Sequence, residues 1–125
     1  MKKLPLLGCA LLCILFSACL GGDNDIRIAY TNNDDYYVMN AKFQESKTRN
    51  VENYLDRKLG RGSNLSFTNT QLSGTIALDD GTIFYIKKSP GFLRIKLDKT
   101  KNSEEAYERM RMVCEGVKKV VVGHS

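Results

Sequence analysis

LSGTIALDDGTIFYIKKSPGFLRIKL, running from Leu72 to Leu97, reads as three strands folded back on one another. Leu72, Gly74, Ile76 and Leu78 share one face of an alternating run, as a side-chain period of two requires. Asp79-Asp80-Gly81 is a tight hairpin signal, because Asp bonds its own backbone and Gly accepts φ above zero. Thr82 to Lys87 returns with Phe84 and Ile86 opposed to Ile83 and Tyr85, and Lys88-Ser89-Pro90-Gly91 turns the chain again. Leu93, Ile95 and Leu97 then alternate with Phe92, Arg94 and Lys96. Such a meander makes an antiparallel sheet with one apolar and one mixed face. Leu65-Ser66-Phe67-Thr68 is a candidate short strand ahead of it, so three or four strands are expected here.

Helices flank the meander on both sides. Before it, Val51, Tyr54, Leu55 and Leu59 recur at helical spacing within Ser46 to Leu59, with Ser46, Thr48 and Asn50 as possible caps. Gly60 is expected to supply a left-handed C-terminal residue, and Arg57 and Lys58 sit where cations favour the helix dipole. After the meander, Asn102 or Ser103 caps a helix opened by Glu104 and Glu105. Tyr107, Met110, Cys114, Val117 and Val121 form its apolar stripe, which predicts helix to about Val122 in spite of Gly116. An edge strand over Val117 to Val122 is the alternative, and the unbroken stripe favours helix. Cys114 falls within that stripe and reads as a small buried hydrophobe.

Nearer the N-terminus, Ile26, Ile28 and Tyr30 alternate with polar residues, Thr31 to Asp35 is rich in turn formers, and Tyr36 to Met39 resumes an apolar run. This predicts a hairpin whose second strand reaches towards Phe43. The fold class is therefore α+β, with an N-terminal hairpin, a helix, an antiparallel meander and a C-terminal helix packed on the sheet. Residues 25–125 form a single domain, with no internal repeat and no second linker.

The first residues have a different character. Lys2 and Lys3 precede an apolar run from Leu4 to Phe16, and Ser17-Ala18 are small residues ahead of Cys19, the layout of a secretory signal over residues 1–18. The run is shorter than the ~20 apolar residues that span a bilayer. With Ser17, Ala18 and Cys19 in place, and Phe16 where Leu is usual, this segment resembles the lipobox of bacterial lipoproteins. The resemblance implies cleavage before Cys19 and N-terminal acyl chains on that residue as its one covalent addition. Residues 19–24 would then be a tether. Leu20 rather than Asp after the Cys implies outward sorting, to the periplasmic face of the outer membrane. Cleavage after Gly21, with Cys19 at minus three, is the competing reading, and a Cys19 left without lipid is free to pair with Cys114.

Removing the leader takes the formal charge from +5 to about +3, too small an excess to argue for nucleic acid. No metal ligand set is expected, because His124 is the one His and sits in the C-terminal tail. Asp34-Asp35 and Asp79-Asp80 lie in turns, where a glycosidase acid and base would lack a cleft. These features argue against an enzyme and against a cofactor. Two groups are candidate partner-binding residues: the aromatic Tyr30, Tyr36 and Tyr37, and the basic Lys87, Lys88, Arg94 and Lys96. Each has a plain alternative. Cross-strand Tyr pairs cover a sheet face, and lysines keep a sheet face soluble.

The functional expectation is a non-enzymatic, protein-binding lipoprotein of the cell envelope, an accessory factor held to the membrane by its anchor. Two further readings stay open: an inhibitor or immunity protein that neutralises a periplasmic enzyme or toxin, and a carrier of a small apolar ligand between helix and sheet. The sequence names no oligomeric state.

Overall fold

Residues 26–60, 66–68 and 71–123 are described by a computed structural model. Strands β1 (Arg27–Asn32) and β2 (Tyr36–Lys42) form the N-terminal hairpin. A 3-10 turn, Glu45–Lys47, leads into helix α1 (Thr48–Leu59). The meander is β3 (Leu72–Ala77), β4 (Ile83–Ser89) and β5 (Phe92–Asp98), followed by a second 3-10 turn, Lys99–Lys101, and helix α2 (Glu104–Val121). The strands make one antiparallel sheet of order β1-β2-β5-β4-β3. The α+β class holds, and hairpin and meander are joined through β2 and β5 into a single sheet.

Local chemistry explains each turn. Asn33 closes the first hairpin by accepting the backbone N–H groups of Asp35 and Tyr36 on Oδ1, at 2.9 and 2.8 Å. In the β3–β4 turn, Asp80 Oδ1 accepts from the Thr82 N–H at 3.0 Å and Gly81 takes φ of +94°. The β4–β5 turn consists of Pro90 and Gly91 alone, with Ser89 opposite Phe92. Pro fixes φ at the first position and Gly91 adopts φ of +73° at the second, as in a type II turn. Because two residues suffice, Lys88 belongs to the strand and not to the turn expected from Lys88-Ser89-Pro90-Gly91.

Three other expectations are corrected. α1 has no side-chain cap: Lys47 occupies the N-cap position, and the Thr48 hydroxyl accepts the Gly91 N–H at 2.9 Å instead. Gly60 stays right-handed, φ −61° and ψ −31°, and continues the helical bonding by donating to the Asp56 carbonyl. Residues 66–68 are not a strand. Phe67 is buried there, with its N–H donated to Asp56 Oδ1 at 3.2 Å; Leu65 lies outside the described residues.

α2 begins as the sequence indicates, with the Ser103 hydroxyl accepting the Ala106 N–H at 3.0 Å. It runs unbroken through Gly116 to Val121 and ends at Gly123, whose φ is +84°. Gly116 marks the crossing with α1. A β-carbon there would lie 2.0 Å from the Tyr54 hydroxyl oxygen, which donates to the Val113 carbonyl at 2.8 Å. Glycine at this position is what lets an aromatic side chain of one helix reach the backbone of the other.

Both helices lie on the same side of the sheet. Met39, Ala41, Ile86, Leu93, Ile95 and Leu97 pack under Val51, Leu55, Leu59, Met110, Cys114 and Val117 in one apolar core. Burial of each of the larger side chains is worth ~1.5–3 kcal/mol, so the helices are held mainly by this layer. Among the described residues, no helix covers the other side of the sheet.

Candidate functional site

Alternation assigns every strand residue to the helix-covered face or to the open one, and the pairing register lines them up across strands. On the open face Thr31, Val38, Lys96, Tyr85 and Thr75 form one row, and Ala29, Asn40, Arg94, Lys87 and Ser73 form the next. A third row carries Arg27, Lys42, Phe92 and Ser89. Cations from four strands therefore occupy one surface, interleaved with aromatic rings. Among the described residues, none of Lys42, Lys87, Arg94, Lys96 and Lys101 is ion-paired. Arg49, Lys88, Arg109 and Arg111 are ion-paired, and these four lie in the helices or on the face that the helices cover.

The open-face cations rest on neutral groups. Lys96 Nζ sits 4.4 Å from the centre of the Tyr36 ring, and Arg94 Nη1 donates to Asn40 Oδ1 at 3.0 Å. Asp98 is the one carboxylate of the strand residues on this face. Its Oδ1 accepts from both the backbone N–H and the hydroxyl of Thr100, at 2.9 and 2.7 Å, and these bonds lower its pKa. A depression of about 460 Å³ lies here, lined by Tyr36, Ile83, Tyr85, Arg94, Lys96 and Lys101 among others.

The candidate residues divide between the two faces. Tyr36, Lys87, Arg94 and Lys96 stand together on the open face. Lys88 does not join them: it follows Phe84 and Ile86 inward and is 2% exposed, with Nζ donating to Glu52 Oε2 at 2.8 Å. Tyr37 is likewise withdrawn, at 2% exposure, and belongs to the core. Tyr30 faces the helix side too, packing its ring 6.4 Å from that of Tyr37 and donating its hydroxyl to the Cys114 carbonyl at 3.5 Å. These two tyrosines form a cross-strand aromatic pair, with Tyr37 buried and Tyr30 at its rim, 40% exposed.

Cys114 and the Tyr37 hydroxyl meet beneath α2. Burial pushes the thiol up to about 12, the nearby Tyr37 hydroxyl offsetting this only in part. A thiol so held is protonated and inert at neutral pH. Pairing with another cysteine would require lifting α2 from the sheet; Cys19 lies outside the described residues.

Sequence reasoning passed over one charged pair, Glu52 with Lys88. It borders a second depression, again about 460 Å³, between the start of α1 and the Pro90 turn, where Glu45, Arg49, Glu52 and Lys88 balance one another. The signal was parity: Lys88 is two residues from Ile86 and four from Phe84. Among the described residues no three His, Cys, Asp or Glu side chains converge as a metal site would need. No family model, curated protein or solved structure matches this chain.

Proposed function

We propose that this chain is a lipid-anchored binding module of the bacterial envelope, without catalysis of its own, whose open sheet face docks an acidic surface of a protein partner. The observation that supports it is the segregation of charge. The ion pairs of Arg49, Lys88, Arg109 and Arg111 all lie in the helices or on the side they cover, whereas Lys87, Arg94 and Lys96 stand on the open face with Asp98 as the one strand carboxylate beside them. Maintaining like charges side by side costs stability, and an acidic partner converts that cost into complementarity and faster encounter. Acylation of Cys19 would hold the domain at the periplasmic face of the outer membrane. The tether of residues 19–24 and its junctions let Cys19 stand at most roughly 25 Å from Ile26, at ~3.5 Å per residue, so the partner would be met close to the membrane.

A photo-crosslinking residue at Lys87 tests the face directly, with the same group at Met112, which is 64% exposed on α2, as control. The expected result is a crosslink to an acidic envelope protein from Lys87 alone, abolished by Arg94→Glu and Lys96→Glu together. Equal capture from both positions would refute the reading. Cys19→Ala should prevent membrane fractionation of the processed form, and normal fractionation would refute the anchor.

A further inference from the structure

We infer that the groove between Tyr36 and Tyr85 selects the partner's docking element: an extended segment in which a carboxylate side chain is flanked by an apolar one. The inference rests on the open-face reading and specifies the chemistry of its occupant. Two of the large hydrophobic side chains left exposed, Tyr36 and Ile83, each 37% exposed, line this one groove. Beside them stand Arg94, Lys96 and Lys101, against the single carboxylate Asp98.

Two of the groove's cations already rest on neutral partners that an incoming anion can replace. Thr100 occupies one Asp98 oxygen with two hydrogen bonds, and this is the one carboxylate lining the groove against three cations. Lys96 rests on an aromatic ring and Arg94 on an amide oxygen, both neutral partners. A carboxylate offers charge-assisted hydrogen bonds, roughly twice as strong as neutral ones, and so displaces these contacts. The apolar wall has a separate role. Ile83 and the Tyr85 ring would be covered by the neighbouring side chain, which a bare polyanion cannot do. Tyr85 itself is steadied by a hydroxyl contact with Ser73, 3.2 Å across the strand pair, so the wall is preformed. Recognition therefore needs both charge and an apolar flank.

Three labelled hexapeptides would be titrated into the purified, processed protein and followed by fluorescence anisotropy. One alternates glutamate with leucine, one alternates glutamine with leucine, and one is glutamate throughout. The expected result is saturable binding of the first and at least tenfold weaker binding of the other two. Ile83→Ser should weaken the first by about tenfold, the scale of ~1.4 kcal/mol, and leave the all-glutamate peptide unchanged. Lys96→Gln should weaken both acidic peptides. Equal affinity for all three peptides overturns the inference, as does binding of the all-glutamate peptide alone, or displacement of the first peptide by phosphatidylglycerol vesicles. The open-face reading fails separately: loss of the Lys87 crosslink removes it, while a persistent crosslink with no peptide preference removes only the groove.

Discussion

Replacing Gly116 by alanine should destabilise this protein, the reverse of what helix propensity alone dictates. In an exposed helix interior the change would gain ~1 kcal/mol, since alanine costs less backbone entropy than glycine. Here the new methyl would sit 2.0 Å from the Tyr54 hydroxyl oxygen and 2.8 Å from the ring carbon that bears it. The ring has to move, which forfeits its bond to the Val113 carbonyl, worth ~0.5–1.5 kcal/mol net. Overpacking of a closed helix contact adds ~1–3 kcal/mol. Against the propensity gain, the balance is a loss of about 2 kcal/mol. Urea unfolding followed by far-UV circular dichroism should show the midpoint falling by roughly 1 M, at the slope usual for a domain of this size. The same substitution made in a Tyr54→Leu background meets no ring and should become neutral or stabilising, so the cycle changes sign. A Gly116→Ala midpoint above that of the parent would show that the α1–α2 crossing is looser than described.

Lys88→Met should cost about 3–5 kcal/mol because it strands Glu52 in the interior, with Arg49 Nε at 3.7 Å keeping the loss towards the lower figure. Adding Glu52→Leu should restore most of that stability, and a double variant as weak as the single one would contradict the buried-pair account. Asp80 is held ionised by the Thr82 N–H first and then by Arg109, so its folded pKa lies below 3.8. Its contribution is therefore complete above about pH 4 and disappears as pH falls through the depressed value; Asp80→Asn should flatten the acid limb of a stability profile measured by thermal melts, and an unchanged limb would contradict this. Cys114 should resist a thiol reagent at pH 8 until urea unfolds the chain, whereas fast labelling of the native protein would mean that the thiol is accessible.

Strands and helices were legible because their patterns are local. Alternation through Leu93, Ile95 and Leu97 and the 3-4 spacing through Met110, Cys114 and Val117 each need only a few neighbours to declare the element and its buried face. The cationic open face was legible for the same reason, since Arg94 and Lys96 share parity. Lys88 and Tyr37 were misplaced for a different reason. Charge and hydroxyl groups suggest solvent, but parity put both on the helix side, where Glu52 answers one and core packing encloses the other. Gly60 misled because a glycine after a helix usually turns left-handed, whereas here the chain continues one more right-handed residue. The union of hairpin and meander could not be read at all: no local pattern states which strand edge meets which.

That union has a consequence for how the molecule is made. Tyr36 of β2 faces Asp98 of β5, whereas every other strand pair joins neighbours in the chain. The hairpin is synthesised first, and its inner edge waits for β5, the last strand to emerge. Until then β2 presents unpaired backbone and the side chains of Met39 and Ala41 to whatever surrounds it. Closing that one long loop is the slow, entropically costly event, because distant contacts reward the chain only after the loop is formed. Changes along the β2–β5 seam should therefore set how fast the protein matures and how often it is lost to aggregation, as well as how stable it is once complete.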